Sequence, residues 1–227
     1  LKVDRETKEI VWRLGRDGDH DVLHEQHNPD LLTGPDGEPT VLVADSENDR
    51  IVEYARRDGE WVRTWTLRSG LSWPRDADRL PNGNTLVTDT LNQRVIEVTP
   101  TGEVVWEYRA TWGPYDAERI GTGDGSNGPT MAEQGVTGAY EVRGGESDAA
   151  TTVGPAARLA GALAGTPLAG PAASFAERWS HVVPWVRPVW LPPWGFGYLV
   201  LALLVGVVWG GAEVVLARRR LVDTLPG

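Results

Sequence analysis

Three histidines near the start of the chain are the side chains best suited to chemistry. His20, His24 and His27 fall within eight residues and stand among several carboxylates. Imidazole and carboxylate are common metal ligands, so a metal cluster is one interpretation. Their spacing is not that of a familiar ligand set, and a turn rich in Asp and His is usually solvated, so we predict neither a metal site nor a cofactor. The chain contains no cysteine, which excludes thiolate nucleophiles and zinc knuckles.

An internal repeat must position these side chains. Val43–Tyr54 aligns with Val87–Val98 at an offset of 44 residues, and each copy reads as a strand, a polar turn and a second strand. Ahead of these hairpins, residues 74–80 match residues 114–120, and residues 27–32 hold the same place in the copy before. Four short strands in a period of about 40 to 50 residues indicate a β-propeller blade.

The repeat predicts two full blades, from Arg13 to about Thr66 and from Arg68 to about Ala110, with blade fragments on either side. Propellers typically close with about 4 to 8 blades, so two blades cannot form a ring. We therefore expect a fragment of a longer protein, since the chain begins at Leu1 without Met. The missing blades, or an envelope protein partner, would complete it. Trp12, Trp61 and Trp106 are expected in or near matching outer-strand positions.

The repeat also singles out four candidate site residues. The first strand of a blade lines the central channel of a propeller. His27 begins that strand in one copy, and Arg75 occupies the equivalent position in the next copy. Asp30 matches Asp78 in the same way. Such a ring could bind an anionic substrate, with His27 as nucleophile or proton carrier and Arg75 holding oxyanions. The same side chains could instead bridge neighbouring blades through hydrogen bonds and salt bridges.

The charge balance excludes a class of partner. The net charge is −10, and of the 22 basic residues only Lys2 and Lys8 are lysines. A surface this acidic argues against nucleic-acid binding, which needs clustered positive charge. Arginine in place of lysine, with abundant carboxylate, is expected of a protein that works in concentrated salt, where repulsion is screened. The polar loop at residues 121–130 lacks the ending of a P-loop, so we expect it to close a blade rather than cradle phosphate.

Three segments resemble the arylsulfotransferase family. Val3–Gly15 is similar to a hairpin of that family that begins with Asp and ends in Ile-Val-Trp-Arg-Leu-Gly. Gln26–Leu32 is similar to its Gln-His-Asp segment, and Val41–Asp45 is similar to its strand that ends in Asp. Leu80–Val87 looks like an inner-blade turn of that family. The resemblance covers roughly residues 1–130 and is greatest to membrane-anchored members from halophilic archaea.

The resemblance implies a β-propeller that moves a sulfuryl group from a phenolic sulfate ester to another phenol. The family uses no nucleotide sulfate donor and passes the group through a histidine. Carried over, His27 would be that histidine, Arg75 would hold the sulfate, and Asp30 and Asp78 would contribute to substrate binding. Residue 28 is Asn here, where the family pattern has Asp. A propeller that only binds or scaffolds in the cell envelope is the alternative function.

The C-terminal region predicts a membrane anchor. Residues 194–217 are apolar except for Glu213, and about 20 such residues span the ~30 Å hydrocarbon core of a bilayer. Aromatic residues precede this run and Arg218–Arg220 follow it, so the positive-inside rule predicts one span with a cytoplasmic C-terminus and an outward-facing propeller. We expect Glu213 to pair with one of the arginines, the alternative being a buried functional carboxylate. The rival interpretation of the run is a buried core helix.

These observations divide the chain into five segments and predict an all-β fold with one added helix. A partial β-propeller occupies residues 1–140, and an Ala-, Gly- and Pro-rich linker with room for short helices occupies 141–180. An interfacial aromatic segment follows at 181–193, a transmembrane helix at 194–217 and a cytoplasmic tail at 218–227.

Overall fold

The structure is a computed structural model that describes residues 1–145, 155–188 and 190–223. The chain divides into two compact units, Leu1–Thr152 and Val153–Gly227. Parts of the predicted linker and interfacial segment (residues 146–154 and 189) and the last four residues of the predicted tail lie outside the described residues.

The described residues of the first unit form three β-sheets. The strands are β1 (Lys2–Val3), β2 (Ile10–Trp12), β3 (Gln26–Thr33), β4 (Pro39–Asp45), β5 (Arg50–Arg57), β6 (Glu60–Arg68), β7 (Asp76–Arg79), β8 (Thr85–Asp89), β9 (Arg94–Val98), β10 (Val104–Arg109) and β11 (Gly138–Glu141). A two-stranded ribbon pairs β1 with β2, sheet 1 has the order β11-β6-β5-β4-β3, and sheet 2 has the order β10-β9-β8-β7. Within sheets 1 and 2, consecutive strands β3 to β6 and β7 to β10 pair antiparallel.

The strand pairs predicted by the repeat are present. Val43–Tyr54 covers parts of β4 and β5, and Val87–Val98 covers parts of β8 and β9. The polar turn of the first pair contains the short 3₁₀ turn Ser46–Asn48. Sheet 1 begins at Gln26 rather than at Arg13, because the residues between them form turns and bends instead of strands.

Residues 114–120, predicted to begin a further blade, form no strand. An isolated bridge joins Arg119 to Gly123, and the strand that follows in the described residues, β11, does not pair with this segment. Instead, β11 returns to sheet 1 and pairs parallel with β6, which nothing in the sequence predicted. The sheets of described residues 1–145 therefore do not close a ring.

The core lies between sheets 1 and 2 and on the other face of sheet 1. Because side chains alternate along a strand, Leu42 and Ala44 face sheet 2, whereas Val41 and Val43 face the opposite way. The first face packs against apolar residues of sheet 2, including Ile96. The second packs against residues of and after the ribbon, including Trp12 and Leu14. Sheet 1 is therefore buried on both faces, which accounts for the nearly continuous apolar run of β4.

The tryptophan prediction needs a correction. Trp61 and Trp106 both lie in the last antiparallel strand of their sheet, and Trp12 lies in the last strand of the ribbon. Glu53 and Glu97 occupy the same position in the two copies. Glu97 pairs with Trp106, whereas Glu53 pairs with Trp65. The structural counterpart of Trp106 is therefore Trp65. The shift arises because β6 has 9 residues and β10 only 6, so the two hairpins differ in length.

The second unit is helical. It contains α1 (Pro155–Ala162), α2 (Ala169–Val186) and α3 (Pro193–Asp223). Helix α1 and most of α2 lie in the segment predicted as a linker, and α2 continues into the predicted interfacial segment. Within α3, the segment of residues 194–218 contains an 18-residue stretch with a mean hydropathy of 2.3, and the helix is long and apolar enough to cross a membrane.

Candidate functional site

The first strands of the two sheets bring the predicted site residues together. Strand β3 lies at one edge of sheet 1, β7 lies at one edge of sheet 2, and the two strands are in contact. In β3, His27 pairs with Ala44, and the register then shifts before Asp30. Asn28, inside that bulge, has a φ of 40°, a left-handed conformation that Asn tolerates better than most residues. The bulge bends β3 where His27 is presented.

His27 is held at both ring nitrogens. Its Nδ1 lies 2.9 Å from the backbone carbonyl oxygen of Glu25 and 3.0 Å from Oγ of Ser46. A carbonyl oxygen can only accept, so this geometry assigns the ring proton to Nδ1. Nε2 then carries the lone pair, and it contacts Nη1 of Arg75, which donates to it. The structure therefore brings together the two residues that the sequence proposed as nucleophile and cation.

Aromatic rings surround the guanidinium of Arg75. Its Cζ lies 3.6 Å from the ring centroid of Trp73 and 5.2 Å from that of Tyr115. The Tyr115 ring also stands edge-on to His27, at 5.9 Å between centroids. These contacts favour the cation. Nε of Arg75 is buried, and it has no hydrogen-bond partner among the described residues.

Sequence reasoning missed Tyr115, although the repeat contains the signal. Tyr115 occupies the position of His27 and Arg75 in the third copy. Residues at one repeat position of three successive copies thus lie close together. The next repeat position, which holds Asn28, Asp76 and Asp116, behaves in the same way. Nδ2 of Asn28 donates to Asp76 Oδ1 at 3.3 Å, and Asp116 is close enough to perturb that carboxyl electrostatically.

Asp76 was also missed, and its carboxyl group has an unusual charge state. It is only 4% exposed. Burial, with the nearby charges of Asp116 and Asp30, raises the pKa of Asp76 to about 7, although hydrogen bonds from Asn28 and from the backbone N–H of Ala117 act the other way. Near neutral pH the carboxyl group of Asp76, next in sequence to Arg75, is therefore partly protonated.

Asp30 and Asp78, predicted to bind substrate, form a second layer of the site. The backbone N–H of Ser126 donates to Oδ2 of Asp30 at 2.5 Å. Asp78 is 3% exposed, and burial, followed by the charges of Asp76 and Asp30, raises the pKa of Asp78 to about 8. A protonated Asp78 can donate to the Asp30 carboxylate, which couples sheet 2 to sheet 1. Direct contact between Asp78 and a substrate would require the site to open.

The two layers have opposite electrostatic effects on an anion. The guanidinium of Arg75 attracts an oxyanion to His27, whereas ionised carboxyl groups at Asp30, Asp76 and Asp78 would repel it. Protons retained on Asp76 and Asp78 reduce that repulsion. The arrangement can therefore receive a small oxyanion at His27 while the two acids remain protonated.

The other two histidines of the cluster lie apart from this arrangement. The rings of His20 and His24 stack on each other at 4.0 Å between centroids, and the backbone N–H of His24 donates to Asp45 Oδ1. Within the described ranges, no group of three or more His, Cys, Asp or Glu is placed to hold a metal ion.

A shallow cavity of about 440 Å³ lies along β10, and its lining consists of Val104–Arg109 and Gly145. None of the residues around His27 lines it. An anion at His27 would therefore lie outside this cavity.

Comparison with known proteins gives no assignment. No protein-family model matches the chain, and no curated protein matches it. Among solved structures, a protein of unknown function from Bacteroides caccae is similar at a TM-score of 0.28 and 19% sequence identity. The match covers 37% of this chain and 31% of that chain, and similarity at this level supports no conclusion about fold or function.

Proposed function

We propose that the protein is a membrane-tethered, extracytoplasmic arylsulfotransferase-like enzyme that transfers a sulfuryl group between phenols through His27. The observation that carries the proposal is the contact between Nε2 of His27 and the guanidinium of Arg75. It pairs a nitrogen lone pair with a cation that can hold the oxygens of a sulfate. The sequence resemblance supplies the substrate class.

The chemistry proceeds in two displacements. Nε2 of His27 attacks the sulfur of an aryl sulfate; the N–S bond forms, the S–O bond breaks, and the departing phenolate takes a proton from solvent. The acceptor phenol then attacks sulfur, the N–S bond breaks, and the acceptor releases its proton. The ring becomes cationic in the intermediate, and the carbonyl of Glu25 stabilises that charge through Nδ1–H. No cofactor is required.

The proposed fold is a partial β-propeller. Two observations support it. Strands β3–β6 of sheet 1 and β7–β10 of sheet 2 are consecutive four-strand repeats that share one core, and their first strands lie side by side. The outer face of sheet 2 supports a further blade. Trp65 and Leu67 on sheet 1 are fully buried by sheet 2, whereas their counterparts Trp106 and Tyr108 are 42% and 60% exposed.

The proposed location is the outer face of a cell membrane, with α3 as a single span. Arg218–Arg220 follow the apolar run at its C-terminal end, so the positive-inside rule places that end in the cytoplasm. The acidic, lysine-poor composition supports a halophilic source.

The exposed face of sheet 2 favours a second candidate function, that of a non-catalytic propeller that binds or scaffolds in the cell envelope. Large exposed aromatic side chains commonly mark a binding surface. In this case the contact between His27 and Arg75 would serve only to join the two sheets.

A turnover assay separates the two functions. The full chain, in detergent and high salt, is given a chromogenic aryl sulfate and a phenol acceptor. Wild type should transfer the sulfuryl group, His27→Ala should not, and Arg75→Ala should lose about 10²–10³ in kcat, as when an oxyanion-stabilising donor is removed. Arg57→Ala, at an exposed arginine outside the site, is the matched control. Undiminished turnover by His27→Ala would remove His27 from the mechanism, and an inactive wild type would favour the scaffold.

A further inference from the structure

We propose that Ser46 is a positioning residue that holds His27 in the tautomer with the proton on Nδ1 and the lone pair on Nε2. The catalytic consequence rests on the proposed sulfuryl transfer, whereas the tautomer itself can be measured without turnover.

The hydroxyl group of Ser46 has one proton, and that proton is already used. Ser46 is fully buried, and its Oγ donates to the backbone carbonyl of Pro74 at 2.6 Å. Towards Nδ1 of His27, at 3.0 Å, the same oxygen can therefore only accept. Two acceptors, Ser46 Oγ and the carbonyl of Glu25, thus face Nδ1, and neither offers it a proton. In the opposite tautomer, Nδ1 would direct a lone pair at both oxygens.

Ser46 also ties His27 to the chain that carries the cation. The carbonyl that accepts its proton belongs to Pro74, the residue immediately before Arg75. One buried hydroxyl therefore fixes the imidazole ring on β3 and the backbone at the start of β7. Loss of the hydroxyl would remove one of the two acceptors at Nδ1 and the link to Pro74, so the ring and the guanidinium would be held together less firmly.

The repeat provides a comparison within the same chain. Thr90 occupies the position of Ser46 in the next copy, where the first-strand residue is Arg75 rather than His. Its hydroxyl oxygen is buried, and it has no hydrogen-bond partner among the described residues. The repeat fold therefore does not require a buried hydroxyl at this position to bond with the first strand of its sheet. The contact of Ser46 is particular to the copy that carries His27.

The test is nitrogen NMR of the full chain in detergent, labelled with ¹⁵N-histidine. Long-range couplings from the ring carbon protons distinguish a protonated ring nitrogen from one with a lone pair, and His27→Gln identifies the signals of His27. Wild type should show protonated Nδ1 and unprotonated Nε2. Ser46→Ala should convert this to a tautomer mixture, Ser46→Thr should restore the wild-type pattern, and Thr90→Ala should leave it unchanged.

Activity gives a second, separable result. Ser46→Ala should lower kcat by about tenfold with little change in KM, since the net effect of a typical hydrogen bond corresponds to about a factor of ten. An inactive wild type would defeat the proposed function but leave the tautomer result standing. Wild-type His27 protonated at Nε2 would overturn the proposal even if no variant folds. An unchanged tautomer in folded Ser46→Ala would overturn the role of Ser46.

Discussion

Arg79 of sheet 2 forms an ion pair with Glu53 of sheet 1, with Nη2 3.2 Å from Oε2 and both side chains fully closed to solvent. The guanidinium also lies 5.3 Å from the ring centroid of Trp65, and the carboxylate accepts from the backbone N–H of Met131. The next copy repeats the pair as Arg119 with Glu97. There the arginine is 40% exposed, since no further sheet among the described residues packs on it. The same interaction thus occurs once in the core and once near the surface.

The difference in burial predicts different costs for the two arginines. Arg79→Ala should destabilise the first unit by about 3–5 kcal/mol, because it leaves the carboxylate of Glu53 buried without a counter-charge. Arg119→Ala should cost about 1 kcal/mol or less, because water can replace the cation. Chemical denaturation of the full chain, followed by tryptophan fluorescence, measures both. An equal loss of unfolding free energy in the two variants would contradict the conclusion that burial determines how much this ion pair stabilises the protein.

The two faces of the repeat allow a second prediction. Leu67 and Tyr108 occupy equivalent positions, opposite Ile51 and Val95, but only Leu67 is covered by a neighbouring sheet. Leu67→Ala should therefore cost about 2–5 kcal/mol, as a truncation in a closed core does. Tyr108→Ala should cost about 0.5 kcal/mol, as a surface substitution does.

The same denaturation experiment checks this comparison. A large cost for Tyr108→Ala would mean that its face is covered in solution, by a further sheet or by a partner. The oligomeric state would then separate the two, since a bound partner would favour the scaffolding function whereas a further sheet is compatible with both functions.

Much of the strand arrangement could be predicted because the two copies of the repeat are related by a fixed number of residues along the chain. The offset placed His27 and Arg75 in equivalent first-strand positions, and adjacent first strands then bring their side chains into contact. The same counting failed for Trp61, since a hairpin of different length moves the register without changing the sequence motif. Counting along the chain gives the order of strands, but it does not give the length of each hairpin.

The finer features of the site could not be predicted because they arise from burial. Ser46 lies in a polar turn, and nothing in its sequence context indicates that the carbonyl of Pro74 will take its proton. Asp76 and Asp78 are ordinary carboxylates in sequence, and their raised pKa values depend on packing between two sheets. The return of β11 to sheet 1 is a long-range pairing that local patterns do not encode.

The topology of α3 gives a third prediction. Residues 194–218 are long and apolar enough to span a bilayer, and three consecutive arginines, Arg218–Arg220, stand at its C-terminal end. We therefore expect protease added to intact cells to remove the first unit and to spare a tag at the C-terminus. Permeabilised cells, in which the tag should be lost, are the control. Loss of the tag from intact cells would contradict the orientation.

Asp76 and Asp78 give the last prediction, which concerns pH. Their folded pKa values, about 7 and about 8, lie above the ordinary value of 3.8, so the folded state holds these protons longer than the unfolded state does. Their contribution to stability is therefore full below about pH 4 and is lost as the pH rises to about 8. Asp78→Asn, which mimics the protonated acid, should stabilise the protein relative to wild type at pH 8 and lose that advantage near pH 4. Denaturation at both pH values measures this, with exposed Asp36→Asn as the control. If Asp78→Asn were no more stable than wild type at pH 8, the carboxyl would be ionised at no cost, and burial would not govern its charge.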